Sequence, residues 1–111
     1  MEALAETLAT ADALGIRSEQ LAQCIEGGPL AAPWAIAKLK KIENNATADT
    51  EFPLKWATKD VHLALEAVSG KRDLPALKTI AHLWDQATSS FGDQDISAAY
   101  LALQSEHIQN V

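Results

Sequence analysis

Twenty-one of the 111 residues are alanine, against only ten valines and isoleucines combined. Alanine is the best helix former, while the β-branched residues favour strands. The balance therefore predicts an all-α domain of about six short helices, packed closely through small side chains. At 11.9 kDa there is room for one domain. A chain of this size buries roughly 60 to 68% of the surface its unfolded form exposes, so its core is thin.

The apolar spacing places the helices. Leu4, Leu8, Ala11 and Leu14 share a face of a first helix from near Met1 to Leu14, which Gly15 ends. Ser18 is the expected N-cap of a short second helix from Glu19 to Ile25, with Ile16 stapled to Ala22, and Gly27-Gly28-Pro29 stops it. A third helix covers Ala32 to Ile42, with Pro33 tolerated in its first turn. Glu43 to Pro53 has no periodicity and reads as a loop. In a fourth helix, Leu54 to Val68, the residues Leu54, Ala57, Thr58, Val61, Leu65 and Val68 form an apolar stripe. Lys55, Lys59, His62 and Glu66 form a polar stripe beside it. Asp73 and Pro75 announce a fifth helix to about Ser90, with Leu77, Ile80, Ala81, Trp84, Ala87, Thr88 and Phe91 turned inward. Gly92 ends it, and Asp93 to Ser97 offer caps for a sixth helix reaching about Gln104. The domain is thus residues 1–104, followed by a tail from Ser105 to Val111 that is expected to fray.

Composition excludes several classes of function. A formal charge of −6 argues against nucleic-acid or anionic-membrane partners, which attract clustered Lys and Arg. The longest apolar run, the eight residues Leu30 to Ala37, contains Pro33 and is too short to cross a bilayer. A single cysteine, Cys24, forms no internal disulfide and reads as a buried, inert thiol. Met1 is followed by Glu2 rather than by a basic stretch, so the expected location is cytoplasmic.

No complete catalytic constellation emerges from residue types alone. His62, His82 and His107 fall on three different elements, so no metal site is expected. Lys38, Lys40 and Lys41 read as a solvated face, Asp93 and Asp95 as caps, and Trp34, Trp56 and Trp84 as core or interface anchors. One segment stands apart. Phe52-Pro53 leads directly into the fourth helix, and Lys59-Asp60 follows within two turns. A lysine there can reach over a cleft to a phosphate or carboxylate, although a salt-bridged surface lysine is the simpler reading of the spacing.

Four stretches carry a resemblance to a known family. They are Glu2-Ala3-Leu4-Ala5-Glu6 through Ala13-Leu14-Gly15-Ile16; Gly27-Gly28-Pro29-Leu30-Ala31; Phe52-Pro53-Leu54 with Lys59-Asp60 and Leu63-Ala64-Leu65-Glu66-Ala67; and Gly92-Asp93-Gln94-Asp95-Ile96-Ser97-Ala98. In this order, from Leu4 to about Leu103, they resemble the C-terminal helical domain of β-hydroxyacid dehydrogenases, the group of 3-hydroxyisobutyrate dehydrogenase and tartronate semialdehyde reductase. The resemblance implies a fold like the C-terminal domain of 6-phosphogluconate dehydrogenase. It also implies that Lys59 reaches an NAD or NADP cofactor, with Phe52 and Asp60 lining the substrate cleft.

The same resemblance implies what is missing. Such enzymes carry an N-terminal Rossmann domain, and no strand followed by G-x-G-x-x-G occurs here. The Ser-Gly-Gly substrate turn, and the interdomain helix with the catalytic Lys and Asn, would lie upstream. The first helix, which has no cap before Met1, is then expected to be the back half of that longer helix. The chain reads as a domain that binds no cofactor tightly and does not catalyse alone. It would act within an NAD(P)-dependent oxidoreductase of small hydroxy acids, with a Rossmann domain and further copies of itself as partners. The alternative is a free-standing, non-enzymatic helical module for interaction or oligomerisation.

Overall fold

The computed structural model describes the backbone of residues 1–109 and the side chains of residues 1–104. Six helices follow in order: α1 (Glu2–Ala13), α2 (Ser18–Ile25), α3 (Pro33–Glu43), α4 (Leu54–Ala67), α5 (Pro75–Phe91) and α6 (Ala99–Gln109). A 3-10 turn, Ile96–Ala98, leads into α6. Among the described residues the one β-type pairing is an isolated antiparallel bridge between Pro53 and Asp95. The all-α expectation holds.

Local chemistry explains most helix ends. Gly15 takes φ +73°, and after it the Ile16 N–H donates to the Ala11 carbonyl at 2.8 Å while its own N–H donates to Asp12 at 3.0 Å. These are the two bonds of a Schellman stop, which needs a left-handed residue. Leu14 is the cap of that stop and stays 71% exposed, so it leaves the inward stripe predicted for it. Arg17, in extended backbone, is the N-cap of α2, and Ser18 is its first helical residue rather than its cap. The Gln20 side chain accepts from the Arg17 N–H at 3.1 Å and does the capping instead. Ile16 is exposed. The last helix extends to Gln109, beyond the predicted Gln104 and into the stretch expected to fray; the rest of that expectation, at residues 110–111, lies outside the described residues.

The core falls into two clusters. Leu54 and Ala57 of α4 meet Trp84 and Ala87 of α5, with Ile96 and Ala99. Ala5 and Leu8 of α1 meet Leu39 and Ile42 of α3, with Tyr100. The adjacent residues Ala99 and Tyr100, at the start of α6, join the two. The Trp84 indole N–H crosses to α1 and donates to Glu2 Oε2 at 2.7 Å, in a buried contact. A buried indole N–H needs such a partner, and this one ties α5 to α1.

Two expectations are corrected by packing. Lys38 and Lys41 are not a solvated face: three residues apart on α3, both turn inward and are 3% and 9% exposed. Only Lys40 remains in water, 3.7 Å from Glu26. Cys24 is exposed rather than buried, because α2 turns Leu21 and Ala22 toward the core and leaves Cys24 outside. Of the three tryptophans only Trp84 is buried; Trp34 and Trp56 each keep about half their surface in water. No helix among the described residues is long and apolar enough to cross a membrane.

Candidate functional site

The segment ahead of α4 has no periodicity, yet it is held closely. Asp95 N–H donates to the Thr47 carbonyl at 2.8 Å, and Ile96 N–H donates to the Phe52 carbonyl at 2.8 Å. Thr47 Oγ1 donates to Gln94 Oε1 at 2.7 Å, and Thr50 Oγ1 to the Asp93 carbonyl at 3.0 Å. The stretch 47–53 is therefore zipped to the stretch 92–97.

The centre of that zipper is the Asp95 carboxylate, which is fully buried. Oδ1 accepts from the backbone N–H groups of Glu51 and Phe52, each at 3.2 Å. Oδ2 accepts from Ser97 N at 3.0 Å and Ser97 Oγ at 2.7 Å, which caps the 3-10 turn as the sequence predicts. Lys38 Nζ lies 3.1 Å from both oxygens. Burial works against the charged carboxylate. The Ser97 and Phe52 hydrogen bonds and the Lys38 ammonium outweigh it and hold its pKa down at about 2. Lys41 adds a second ammonium, 3.2 Å from Glu51, whose pKa is lowered chiefly by that bond and by Lys38. Burial opposes the Lys41 charge in turn, and Glu51, Asp95 and Asp49 raise its pKa above the ordinary lysine value.

This buried network sets the start of α4. The first two N–H groups of the helix are used up by the neighbouring loop: Leu54 N–H donates to Gln94 O at 2.8 Å and Lys55 N–H to Gly92 O at 3.0 Å. Gly92 sits where a Cβ would come within 2.7 Å of the Thr88 carbonyl in the last turn of α5, so this cap position favours glycine. With those donors spent, the end of α4 is not itself an anion site.

The outward face of α4 is where the predicted site residues stand. Leu54, Ala57 and Thr58 are buried, and the Thr58 hydroxyl turns back onto the Leu54 carbonyl at 2.8 Å. Trp56, Lys59, Asp60 and Leu63 occupy the opposite sector of a 3.6-residue helix, and all four are exposed. Phe52, next to the Pro53 cap of α4, is 40% exposed. Lys59 Nζ lies 5.4 Å from the centroid of the Trp56 ring. Among the described residues no carboxylate pairs with it, Asp60 included.

Lys55 approaches the same ring, also at 5.4 Å, but is bound to Asp93 Oδ1 at 2.5 Å. His62 pairs with Asp85 of α5 at 2.7 Å. No three His, Cys, Asp or Glu side chains among the described residues converge as a metal site.

A family model described as the NAD-binding domain of NADP-dependent 3-hydroxyisobutyrate dehydrogenase matches residues 1–103. The chain belongs to this family. No curated protein matches the sequence. A crystal structure of 3-hydroxyisobutyrate dehydrogenase from Salmonella typhimurium superposes with a TM-score of 0.81 at 18% identity. That match covers 89% of this chain and 35% of that one, so the chain spans about a third of the length of the solved structure it resembles. At this identity the likeness shows the fold, and the fold is that of part of a dehydrogenase. The 3-hydroxyisobutyrate dehydrogenase resemblance read from the four motifs is thereby established over nearly the whole chain.

Sequence reasoning singled out Lys59, Phe52 and Asp60; the structure puts Lys59 and Asp60 on the exposed face of α4 and Phe52 just ahead of its Pro53 cap. Sequence reasoning missed Trp56 as part of that face, and it missed the Lys38–Asp95 pair behind them. A short Asx-type cap signal, Asp95 two residues before Ser97, was legible. Nothing local marked its lysine.

Proposed function

We propose that the chain is the helical C-terminal domain of an NAD(P)-dependent β-hydroxyacid dehydrogenase, inactive by itself and completed by a Rossmann domain. The observation that carries this reading is Lys59, an exposed ammonium without a carboxylate partner among the described residues, on a face shared with exposed Trp56 and Asp60. These residues fit the outer side of a dinucleotide: an open cation for its anionic portion, with aromatic surface beside it. The nicotinamide, when bound, supplies the hydride chemistry. In this reading Lys59 neutralises cofactor charge, Phe52 shields the cleft from water, and Asp60 borders the substrate. The parent protein is cytoplasmic and self-associates as a dimer or higher oligomer through this domain.

The test has two parts. An antibody raised against the chain, used on lysate of the source cells, should show a band at more than twice the 11.9 kDa of this chain. In that longer protein Lys59→Ala should weaken NAD or NADP binding roughly tenfold, as expected for loss of a hydrogen bond to a charged group. A band near 11.9 kDa alone would instead support the second reading, a free-standing interaction module. That reading draws on exposed Leu14 and on Leu30, which is 88% exposed.

A further inference from the structure

Two ammonium groups compete for one indole. Lys55 and Lys59 lie four residues apart on the same flank of α4, and each places Nζ 5.4 Å from the Trp56 centroid. They differ in what else holds them. Lys55 is anchored by Asp93, a residue of the loop that accepts from the first turn of α4. Lys59 has the ring.

Trp56 is otherwise poorly explained. It is half exposed, it belongs to neither core cluster, and it sits one turn before the cation that the functional reading singles out. A large aromatic side chain left in water on a helix whose other face supplies the core contributes little to folding. A cation held over an indole face, in contrast, gains an electrostatic attraction and loses some of its rotamer freedom.

We infer that Trp56 is the positioning residue for Lys59. The ring holds the Lys59 side chain extended along the open face, so its charge meets an incoming phosphate group without first being ordered. The inference rests on the reading of Lys59 as an anion contact. It adds that a lysine at this position needs an aromatic residue three positions earlier.

The experiment uses the 111-residue chain and inorganic pyrophosphate as the probe, followed by NMR shifts of the lysine ε-methylene groups. In the unsubstituted chain the Lys59 ε-protons should lie upfield of a free lysine because of the ring current. Trp56→Leu should return them to the free-lysine position and weaken pyrophosphate binding about threefold, the size of an exposed cation–π contact. Trp56→Phe should keep both effects in reduced form. Circular dichroism should be unchanged in both. Lys59 ε-protons at the free position in the unsubstituted chain would overturn the inference. So would a Trp56→Leu chain that binds pyrophosphate as tightly as the original. If Lys59→Ala itself leaves binding intact, the reading of Lys59 falls and this inference with it.

Discussion

The ammonium of Lys38 lies 3.1 Å from both carboxylate oxygens of Asp95, a residue 57 positions away, and neither side chain has appreciable contact with water. The same carboxylate holds the backbone N–H groups of Glu51 and Phe52. A single buried ion pair thus joins α3, the 47–53 loop and the entry to α6, and it sets where α4 begins.

Breaking that pair from one side should be severe. Asp95→Ala leaves the Lys38 charge buried with the peripheral Glu51, 3.5 Å away, as its carboxylate neighbour and the Trp34 ring centroid 5.7 Å away. The expected loss is about 3 to 5 kcal/mol in urea unfolding. Asp95→Asn keeps one acceptor oxygen, for the Phe52 side or the Ser97 side but not both, and should cost less than Asp95→Ala. Under native conditions it should still speed hydrogen exchange at Phe52 and Glu51, the two amides that Asp95 holds.

Acid should destabilise the fold through the same group. Asp95 has a pKa of about 2 in the folded chain, below its ordinary value of 3.8. The unfolded chain therefore takes up the proton first as pH falls. The stabilisation is complete above the ordinary value and is lost as pH drops from about 4 toward 2. Its size is on the order of 2 kcal/mol, from 1.36 kcal/mol for each pKa unit. Urea midpoints measured from pH 5 to pH 2 should fall for the original chain, and fall less for Asp95→Asn.

Two positions on α4 should separate folding from function. Leu54 is fully buried against α5 and the 3-10 turn, so Leu54→Ala should cost about 2 to 5 kcal/mol. Lys59→Ala, at an exposed position, should stay within about 0.5 kcal/mol of the original. Thermal unfolding of the two variants checks this. A large loss in Lys59→Ala would show that the side chain serves the fold.

Trp84→Phe should keep most of the apolar contact in the α4–α5 cluster while removing the indole donor to buried Glu2. The expected cost is about 1 to 3 kcal/mol, set by taking one partner from a buried polar group. Unfolding by urea, compared with a Glu2→Gln chain and the double variant, measures the coupling between α1 and α5 directly.

Local information in the sequence determined the helices and their stops. Alanine content and a period of 3.6 residues act over one or two turns, so α1 through α5 begin and end within a residue or two of where spacing puts them. The motif Phe52-Pro53-Leu54 with Lys59-Asp60 also pointed to one candidate face of α4, because its residues are close in the chain. Tertiary structure alone decided which charges are buried and which cation is open. Lys38, Lys40 and Lys41 look alike in sequence; only the fold brings Asp95 and Glu51 to two of them and leaves the third in water. Likewise Lys55 and Lys59 look alike until Asp93, 38 residues beyond Lys55, neutralises one and not the other. Burial and ion pairing depend on partners distant in the chain, and local periodicity carries no record of them.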